Sequence, residues 1–380
     1  MINFTPTEEQ LLIQQMAREF AQKEIAPIAA EIDREQTFPM QTVKRMGELG
    51  LFGLFVPEDL GGGGADYISY ALALEEIAAV CASHAAIYSV HSSASMGGIL
   101  SYGTEEQKKK YIPGMASGER IGAFTVTEPG AGTDAGAQKA TAVLQGDKYI
   151  LNGTKIFCTN GGIADVYLAS AMTDPSKGLK GISTFIVEKS FPGFKVGQKE
   201  DKMGIRGSQT TEIIYSNCEV PAENLLGKEG EGFKVIMQIL DGGRIGMAAQ
   251  AVGIARGALD AAIAYVKDRQ QFGKPLAANQ GLQWMLAEMA LAVEASRVMV
   301  FKAACAKEAG GRFSKEAAMA KLIAAETAMS VTTRAVQLHG GIGYTKSCAV
   351  ERYMRDAKIT EIYEGTNEVM KMVIAGNILA

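Results

Sequence analysis

Residues 142–157 read AVLQGDKYILNGTKIF, and this stretch decides the fold class because its signals are those of β-structure. The dipeptides at 146–147 and 152–153, Gly-Asp and Asn-Gly, favour tight turns between short β-prone runs. Further runs of the same kind follow at 164–172, 181–188 and 210–218. Closely spaced strands with such turns predict an antiparallel barrel or sandwich over residues 121–228.

On both sides of this segment the sequence is helical in pattern. Before it, Leu12, Met16 and Phe20 recur at the four-residue spacing of one helical face. After it come long stretches rich in alanine and methionine, at 231–268, 280–309 and 314–339. These stretches suit an antiparallel bundle. We therefore predict three domains, which are an N-terminal helical domain over 1–120, a β domain over 121–228 and a C-terminal helical bundle over 229–380.

Composition narrows the class of protein. A chain of 380 residues suits two or three domains, and its net charge of −4 argues against a general nucleic-acid binder. The apolar run near 82–100 contains two histidines and several serines, so it is too polar to span a membrane. The five cysteines are scattered, which argues against a disulfide scaffold and a zinc site. We expect a cytoplasmic protein with no metal, no secretory signal, no nucleic-acid partner and no membrane partner.

Two stretches of the β domain carry candidate binding groups. In FTVTEPGAGTD, residues 124–134, Gly130 and Gly132 bracket a turn where backbone N–H groups can approach a ligand. An ordinary Pro-Gly turn explains the same letters. In NGTKIFCTNGG, residues 152–162, Phe157 and Thr159 are two apart and share one strand face. A flat cofactor could lie there, although a cross-strand packing pair is the alternative.

The helical part has two glycine-rich breaks between long helices. DRQQFGKPL, residues 268–276, offers Arg269 and Phe272 for a phosphate and a flat ring, or is simply a turn closed by its Gly and Pro. QLHGGIGY, residues 337–344, is the second break. In LDGGRIG, residues 240–246, two glycines break the helical pattern, which is tolerable if a ligand approaches the backbone.

The stretch ITEIYEGTNE, residues 359–368, places three carboxylates among apolar residues. Acids at this density usually form a solvated face. The neighbouring isoleucines and tyrosine indicate that at least one of Glu361, Glu364 and Glu368 points into an apolar site.

Taken in order, these stretches and the helix–β–helix layout resemble the acyl-CoA dehydrogenase family over essentially the whole chain, and within it the short-chain, butyryl-CoA type. The resemblance implies an α+β multi-domain fold with an N-terminal helical domain, a middle antiparallel β-barrel domain and a C-terminal four-helix bundle. It also implies a homotetramer, arranged as a dimer of dimers, and FAD bound without covalent attachment between barrel and bundle.

The resemblance further implies how FAD is held. Thr127 would bond the pyrimidine edge of the flavin, Thr133 the pyrophosphate, and Thr159 would lie near N5. Phe157 stands where relatives often have Trp. The segment from Arg269 to Phe272 would reach the FAD of a neighbouring subunit, joined by residues 337 and 341. The implied FAD contacts are Phe124, Val126, Thr127, Gly132, Thr133, Phe157, Thr159, Arg269, Gln271, Phe272, Gln337, Gly341, Thr366 and Glu368.

Glu364 matches the catalytic base of the family. It would take a proton from the carbon alpha to a thioester while a hydride passes from the beta carbon to flavin N5, and apolar surroundings would raise its pKa towards the working pH. The thioester oxygen would bond the Glu364 N–H and a ribityl hydroxyl of FAD. Some relatives carry the base on the earlier helix, where Gly243 stands and cannot serve. The implied substrate contacts are Asp241, Arg244, Thr360, Glu361, Tyr363 and Gly365.

The expected reaction is butyryl-CoA to crotonyl-CoA, in either direction, with an electron-transferring flavoprotein as partner. Glu361 would limit acyl length, or it forms a salt bridge on a helix surface. The alternatives are a dehydrogenase of short branched acyl-CoA, an acyl-CoA oxidase, and a non-catalytic FAD-binding scaffold. A CoA-dependent hydrolase or transferase using His91 is disfavoured, because no G-x-S-x-G elbow is present.

Overall fold

The computed structural model describes residues 5–379, so the ends of the two outer predicted domains, residues 1–4 and 380, lie outside the described residues. The first helix begins after Thr7 in a capping box, in which the Thr7 hydroxyl accepts from the Gln10 amide at 3.2 Å and the Gln10 side chain accepts from the Thr7 amide at 2.9 Å. The N-terminal helices are α1 (Glu8–Phe20), α2 (Ala29–Glu35), α3 (Met40–Glu48), α4 (Tyr67–Ala78), α5 (Ala82–Ser89), α6 (Gly97–Tyr102) and α7 (Glu105–Ala116).

The middle of the chain forms one sheet of eight strands. Seven follow the order β6-β7-β3-β2-β4-β5-β8, and β1 pairs with β4. Most pairs are antiparallel, but β4 runs parallel to both β1 and β2, so the sheet is mixed rather than purely antiparallel. The strands are β1 (Gly122–Thr125), β2 (Thr141–Gln145), β3 (Lys148–Thr159), β4 (Val166–Met172), β5 (Ile182–Glu188), β6 (Phe194–Lys199), β7 (Thr210–Pro221) and β8 (Leu225–Leu226).

Only one of the two predicted hairpin turns exists. Gly146-Asp147 joins β2 to β3, but the prediction of a turn at Asn152-Gly153 is wrong, because β3 continues through it with a bulge. The Asn152 side chain bonds Asn217 on β7, and a β-carbon at 153 would stand 2.6 Å from that of Ala140. Gly153 allows the two backbones to approach closely, and in the sequence such a glycine cannot be distinguished from one that forms a turn.

The C-terminal helices agree closely with the predicted stretches. They are α8 (Gly232–Asp268), α9 (Gln280–Glu308), α10 (Ser314–His339), α11 (Ala349–Lys358) and α12 (Asn367–Ile378), with a small hairpin of β9 (Gln270–Gln271) and β10 (Lys274–Pro275) after α8. Helix α8 is central, because α4, α9, α10 and α11 all pack on it. It also runs unbroken through Gly242-Gly243, as the helical stretch predicted over 231–268 requires.

The helical–sheet–helical fold class is therefore confirmed. The apolar stretch near 82–100 is buried in α5, a π-helical turn and α6, which explains why it is apolar on most sides. Aromatic rings from α4 and α5 meet there, with Tyr70 and Tyr88 centroids 5.2 Å apart. Within residues 5–379, no helix is long and apolar enough to cross a membrane.

Candidate active site

A cleft of about 330 Å³ opens where strand β3 faces the segment after α11. Phe157 and Thr159 line it from the sheet, and Ile359, Ile362 and Tyr363 line it from the other side. Two predicted cofactor residues and one predicted substrate residue therefore share one cavity, although about 200 residues separate them along the chain.

Phe157 reaches this cleft through an irregularity in β3. A bulge between Lys155 and Cys158 gives Phe157 a left-handed backbone with φ 55°, and its side chain is 60% exposed. An exposed aromatic ring beside a cleft suits a flat ligand. The predicted simple alternation of Phe157 and Thr159 does not describe the strand, yet both still line the cleft.

The glycine-rich loop after β1 has space for a ligand. Gly130 and Gly132 have no atom within 4 Å of a would-be β-carbon, and Thr133 is exposed. Thr127, at the start of this loop, is anchored to the sheet because its carbonyl accepts from the Ile156 amide at 2.8 Å. Open glycines beside an anchored strand end fit the predicted cofactor site.

A buried ion pair that the sequence analysis missed holds this loop. The Lys155 Nζ lies 2.8 Å from Glu128 Oε1 and donates to the Val126 carbonyl at 3.1 Å. The Glu128 carboxylate also accepts from the amides of Lys139 and Ala140, at 2.6 and 3.0 Å. Both ends of the glycine loop are thereby fixed. The alternation of side chains along a strand could have revealed this pair, because Lys155 lies an even number of residues from the buried Tyr149 and Leu151 in β3.

Glu364 lies in a strained turn between a 3₁₀ turn and α12. Its φ is 57° and that of Gly365 is 100°, so two consecutive residues are left-handed. Thr366 then caps α12, its hydroxyl accepting from the Val369 amide at 3.3 Å. A non-glycine residue in this region is uncommon and persists only where its surroundings enforce it, which marks Glu364 as a candidate functional residue.

The Glu364 carboxylate is desolvated. Its Oε2 is buried without a hydrogen-bond partner among the described residues, although the residue as a whole is only half-buried. It rests on the backbone of α8, since a β-carbon on Gly243 would stand 2.5 Å from that oxygen. Burial raises the pKa of Glu364 to about 7, against the opposing charges of Arg244 and Lys321. The Gly242-Gly243 pair thus makes room for a carboxylate of the same chain.

Two buried cations hold the carbonyl groups of this turn. The Arg244 Nε donates to the Glu364 carbonyl at 3.2 Å, and the Lys321 Nζ donates to the Gly365 carbonyl at 2.7 Å. Arg244 also pairs with Asp241 at 2.7 Å, and the Ser314 hydroxyl bonds the other oxygen of Asp241. The structure therefore places Asp241 and Arg244 beside the turn, where a contact with CoA stays a prediction.

The other predicted substrate residues differ in setting. Thr360 is buried and its hydroxyl donates to the Ala357 carbonyl at 2.7 Å, while the Tyr363 hydroxyl is buried without a partner among the described residues. Glu361 pairs with Lys358 at 2.6 Å near the surface, which favours the salt-bridge interpretation. Glu368 is exposed in the first turn of α12, where bonds to its own backbone amide and to Thr366 lower its pKa.

The remaining predicted cofactor residues lie away from the cleft. Arg269, Gln271 and Phe272 belong to the hairpin segment after α8. Gln337 lies in the last turn of α10 and Gly341 in the 3₁₀ turn that follows it, and none of the five lines the cavity around Phe157. All five are exposed, and Phe272 is 98% exposed with φ 54°. The two segments sit at the same end of the bundle, because Tyr265 stacks on His339 with centroids 4.3 Å apart.

His91 is not available as the base of a CoA-dependent hydrolase or transferase. Both ring nitrogens of His91 are engaged, with Met115 O at 2.9 Å and the Gly122 amide at 2.9 Å, and burial lowers its pKa to about 4. A structural role explains this residue. In the part of the chain that the structure describes, no group of His, Cys, Asp and Glu could hold a metal ion.

Comparison with known proteins matches all three parts of the chain. Family models match three segments: "Acyl-CoA dehydrogenase, N-terminal domain" over 7–119, "middle domain" over 123–218 and "C-terminal domain" over 230–379. The short-chain specific acyl-CoA dehydrogenase of Clostridium acetobutylicum is 56% identical, with 99% of this chain and 100% of that protein covered.

Two solved structures are similar over their whole length. Butyryl-CoA dehydrogenase from Megasphaera elsdenii has a TM-score of 0.98 at 48% identity, with 100% of both chains covered. A chain from a study of the electron transferring flavoprotein of Acidaminococcus fermentans and flavin-based electron bifurcation has a TM-score of 0.99 at 53% identity, again with 100% of both chains covered.

Proposed function

Because this chain belongs to the acyl-CoA dehydrogenase family, an oxidoreductase family, we propose that it oxidises short-chain acyl-CoA thioesters between their alpha and beta carbons, with butyryl-CoA and crotonyl-CoA as the reference pair. The observation that carries this proposal is the desolvated carboxylate of Glu364, whose Oε2 is buried without a hydrogen-bond partner among residues 5–379. The residue before it, Tyr363, lines the cleft.

Glu364 is the proposed base. A carboxylate with its ordinary pKa is a weak base, whereas one with a pKa of about 7 is matched to proton abstraction near neutral pH. Arg244 and Lys321 hold the carbonyls of residues 364 and 365, which orients the turn. We propose that the Glu364 N–H donates a hydrogen bond to the thioester oxygen and so stabilises the negative charge that develops there.

The cleft supports FAD as the cofactor. The exposed ring of Phe157, the hydroxyl-bearing Thr159 and the open glycine loop suit a flat ring joined to phosphates. Phe124, Val126, Thr127 and Thr133 would complete the site at the end of β1, with Thr366 and Glu368 at the start of α12. FAD, when bound there, supplies the acceptor for the hydride that leaves the beta carbon.

The exposed hairpin segment supports a multi-subunit enzyme. An aromatic side chain as exposed as Phe272, next to Arg269, suits contact with a second copy of the chain. We propose that Arg269, Gln271 and Phe272, with Gln337 and Gly341, reach the cofactor of a neighbouring subunit in a homotetramer.

An electron-transferring flavoprotein is the proposed electron partner. The similarity to a chain from a structural study of such a flavoprotein supports this proposal. We propose that the reaction runs in either direction, as oxidation of butyryl-CoA or reduction of crotonyl-CoA, according to the redox state of that partner. The three domain boundaries and the cytoplasmic location stay predictions.

Anaerobic addition of butyryl-CoA to the purified flavoprotein tests the proposal. Prompt bleaching of the flavin absorbance is expected. Glu364→Gln should keep FAD and lose bleaching, whereas the matched change Glu361→Gln, at an acid paired with Lys358, should leave bleaching intact.

Four outcomes contradict the proposal or favour one of its alternatives. Full bleaching in Glu364→Gln removes this residue as the base. No bleaching with any acyl-CoA of four to eight carbons supports the non-catalytic scaffold, and faster bleaching with isobutyryl-CoA than with butyryl-CoA supports the branched-chain alternative. Turnover with O₂ alone that equals turnover with the flavoprotein partner indicates an oxidase.

A further inference from the structure

Lys321 is a buried cation that the proposed chemistry uses only to hold a carbonyl of the Glu364 turn. It lies on α10 with 1% of its surface exposed. Its Nζ donates to the Gly365 carbonyl at 2.7 Å and to Asn367 Oδ1 at 3.3 Å. A lysine is rarely buried to this degree unless its ammonium group is paired, so its position needs an explanation.

The acceptors of Lys321 belong to the turn that carries the base. Glu364 and Gly365 both have positive φ, which glycine adopts readily but which is costly for Glu364, so neighbours must hold that residue in place. The Glu364 carbonyl is held by Arg244 from α8 and the Gly365 carbonyl by Lys321 from α10. Two cations from two helices therefore fix two successive peptide groups.

The charges around Lys321 are mixed. Glu364, Glu361 and Glu368 lie on the segment that it holds, and Arg244 faces it from α8. Arg244 is itself neutralised by Asp241 at 2.7 Å. Desolvation lowers the pKa of Lys321 to about 8, against the attraction of Glu364, so the ammonium is charged at neutral pH.

The phenols that surround Glu364 stay neutral near pH 7. Burial raises the pKa of Tyr67 on α4 and of Tyr363 in the cleft, and raises that of Tyr70 to about 12. Arg244 and Lys321 are therefore the charged groups that act on the base.

We propose that Lys321 is the positioning residue of the base, holding the Glu364-Gly365 turn against α10 and keeping a positive charge behind the Glu364 carboxylate. This inference rests on the proposed role of Glu364. The proposed role of Lys321 can be distinguished from a purely structural one. Loss of its charge changes the pKa of the base, so the effect on the rate depends on pH, whereas loss of a packing contact lowers the rate equally at every pH.

The test compares the pH dependence of flavin reduction by butyryl-CoA in three variants. Lys321→Met removes charge and donor, Lys321→Arg keeps both, and Lys371→Met is the matched control on α12, where the lysine side chain is 60% exposed. In Lys321→Met we expect the rising limb of kcat/KM to move about one pH unit upward, so that the rate is about tenfold lower on the acidic side.

The rates of Lys321→Met and the parent should converge above pH about 8, where Lys321 loses its own proton. Lys321→Arg and Lys371→Met should retain the parental limb. If Lys321→Met does not bind FAD, Lys321→Gln replaces it, because the amide keeps a donor to the Gly365 carbonyl while the charge is lost.

A second readout needs no activity. The infrared band of the protonated Glu364 carboxyl, assigned by its loss in Glu364→Gln, should titrate at higher pH in Lys321→Met than in the parent. This measurement decides the inference even if butyryl-CoA is not a substrate. An unshifted titration, or a loss of rate that is equal at all pH values, overturns it.

Discussion

The carboxylate of Glu364 rests on the backbone of Gly243, so closely that a β-carbon at position 243 would stand 2.5 Å from Oε2. One residue lies in the middle of α8 and the other in the turn before α12. The Glu364 carboxylate can occupy this position only because Gly243 has no side chain.

This contact predicts the effect of Gly243→Ala. The added methyl group displaces the carboxylate, and a displacement of about 1 Å can cost about a hundredfold in rate. We expect that loss in the rate of flavin reduction by butyryl-CoA, with FAD content unchanged. Gly376→Ala, in α12 with open space around it, is the control and should keep full activity. A Gly243→Ala enzyme that keeps the parental rate would show that the carboxylate works from another position.

The raised pKa of Glu364 predicts the pH dependence of the reaction. A base acts in its deprotonated form, so the rate of flavin reduction should be constant above the pKa of about 7 and fall about tenfold per pH unit below it. Stopped-flow measurement of the rate of flavin reduction between about pH 5.5 and 8.5 tests this pH dependence. A flat profile across this range contradicts a desolvated base.

The Lys155–Glu128 pair predicts where stability and cofactor binding are coupled. Lys155→Met leaves a buried carboxylate unpaired, which costs about 3–5 kcal/mol in the free energy of unfolding, and it releases the glycine loop. We expect weaker FAD binding, measured by reconstitution of the apoprotein, and unfolding at a lower urea concentration.

The control for Lys155→Met lies on the same strand. Lys148 pairs with Glu219 at 2.7 Å, with both side chains more than 40% exposed, so Lys148→Met should cost at most about 1 kcal/mol. Equal effects of the two substitutions would mean that the buried pair has no special role in the loop.

The surface pair of Glu361 predicts a small role in acyl selection. Glu361→Ala should leave the ratio of kcat/KM for butyryl-CoA and hexanoyl-CoA within about threefold, because even one methylene group in a true pocket wall changes such ratios by about 10–200-fold. A change larger than tenfold would place the Glu361 side chain in the acyl pocket.

Much of the fold follows from sequence because helical periodicity and helix ends are local. The bounds of α8, α9 and α10 differ from the predicted stretches by at most a residue at either end. The turn predicted at Asn152-Gly153 is wrong, because Gly153 serves a close contact with Ala140, just before β2. Gly243 stays within the predicted helix, but its contact with Glu364 is not visible in sequence. A local signal cannot distinguish a turn from a close approach.

The sequence by itself determined the family, the helical–β–helical order and the candidate base, because ordered motifs and periodicity are properties of the chain. Only the tertiary structure decided that Glu364 is desolvated over Gly243, that Lys321 and Arg244 hold its turn, and that Phe157 and Tyr363 share a cleft. The physical reason is that a carboxylate's pKa depends on the solvent excluded and the charges placed around it by packing. Those neighbours come from helices 43 to 121 positions away, and no local pattern encodes their approach.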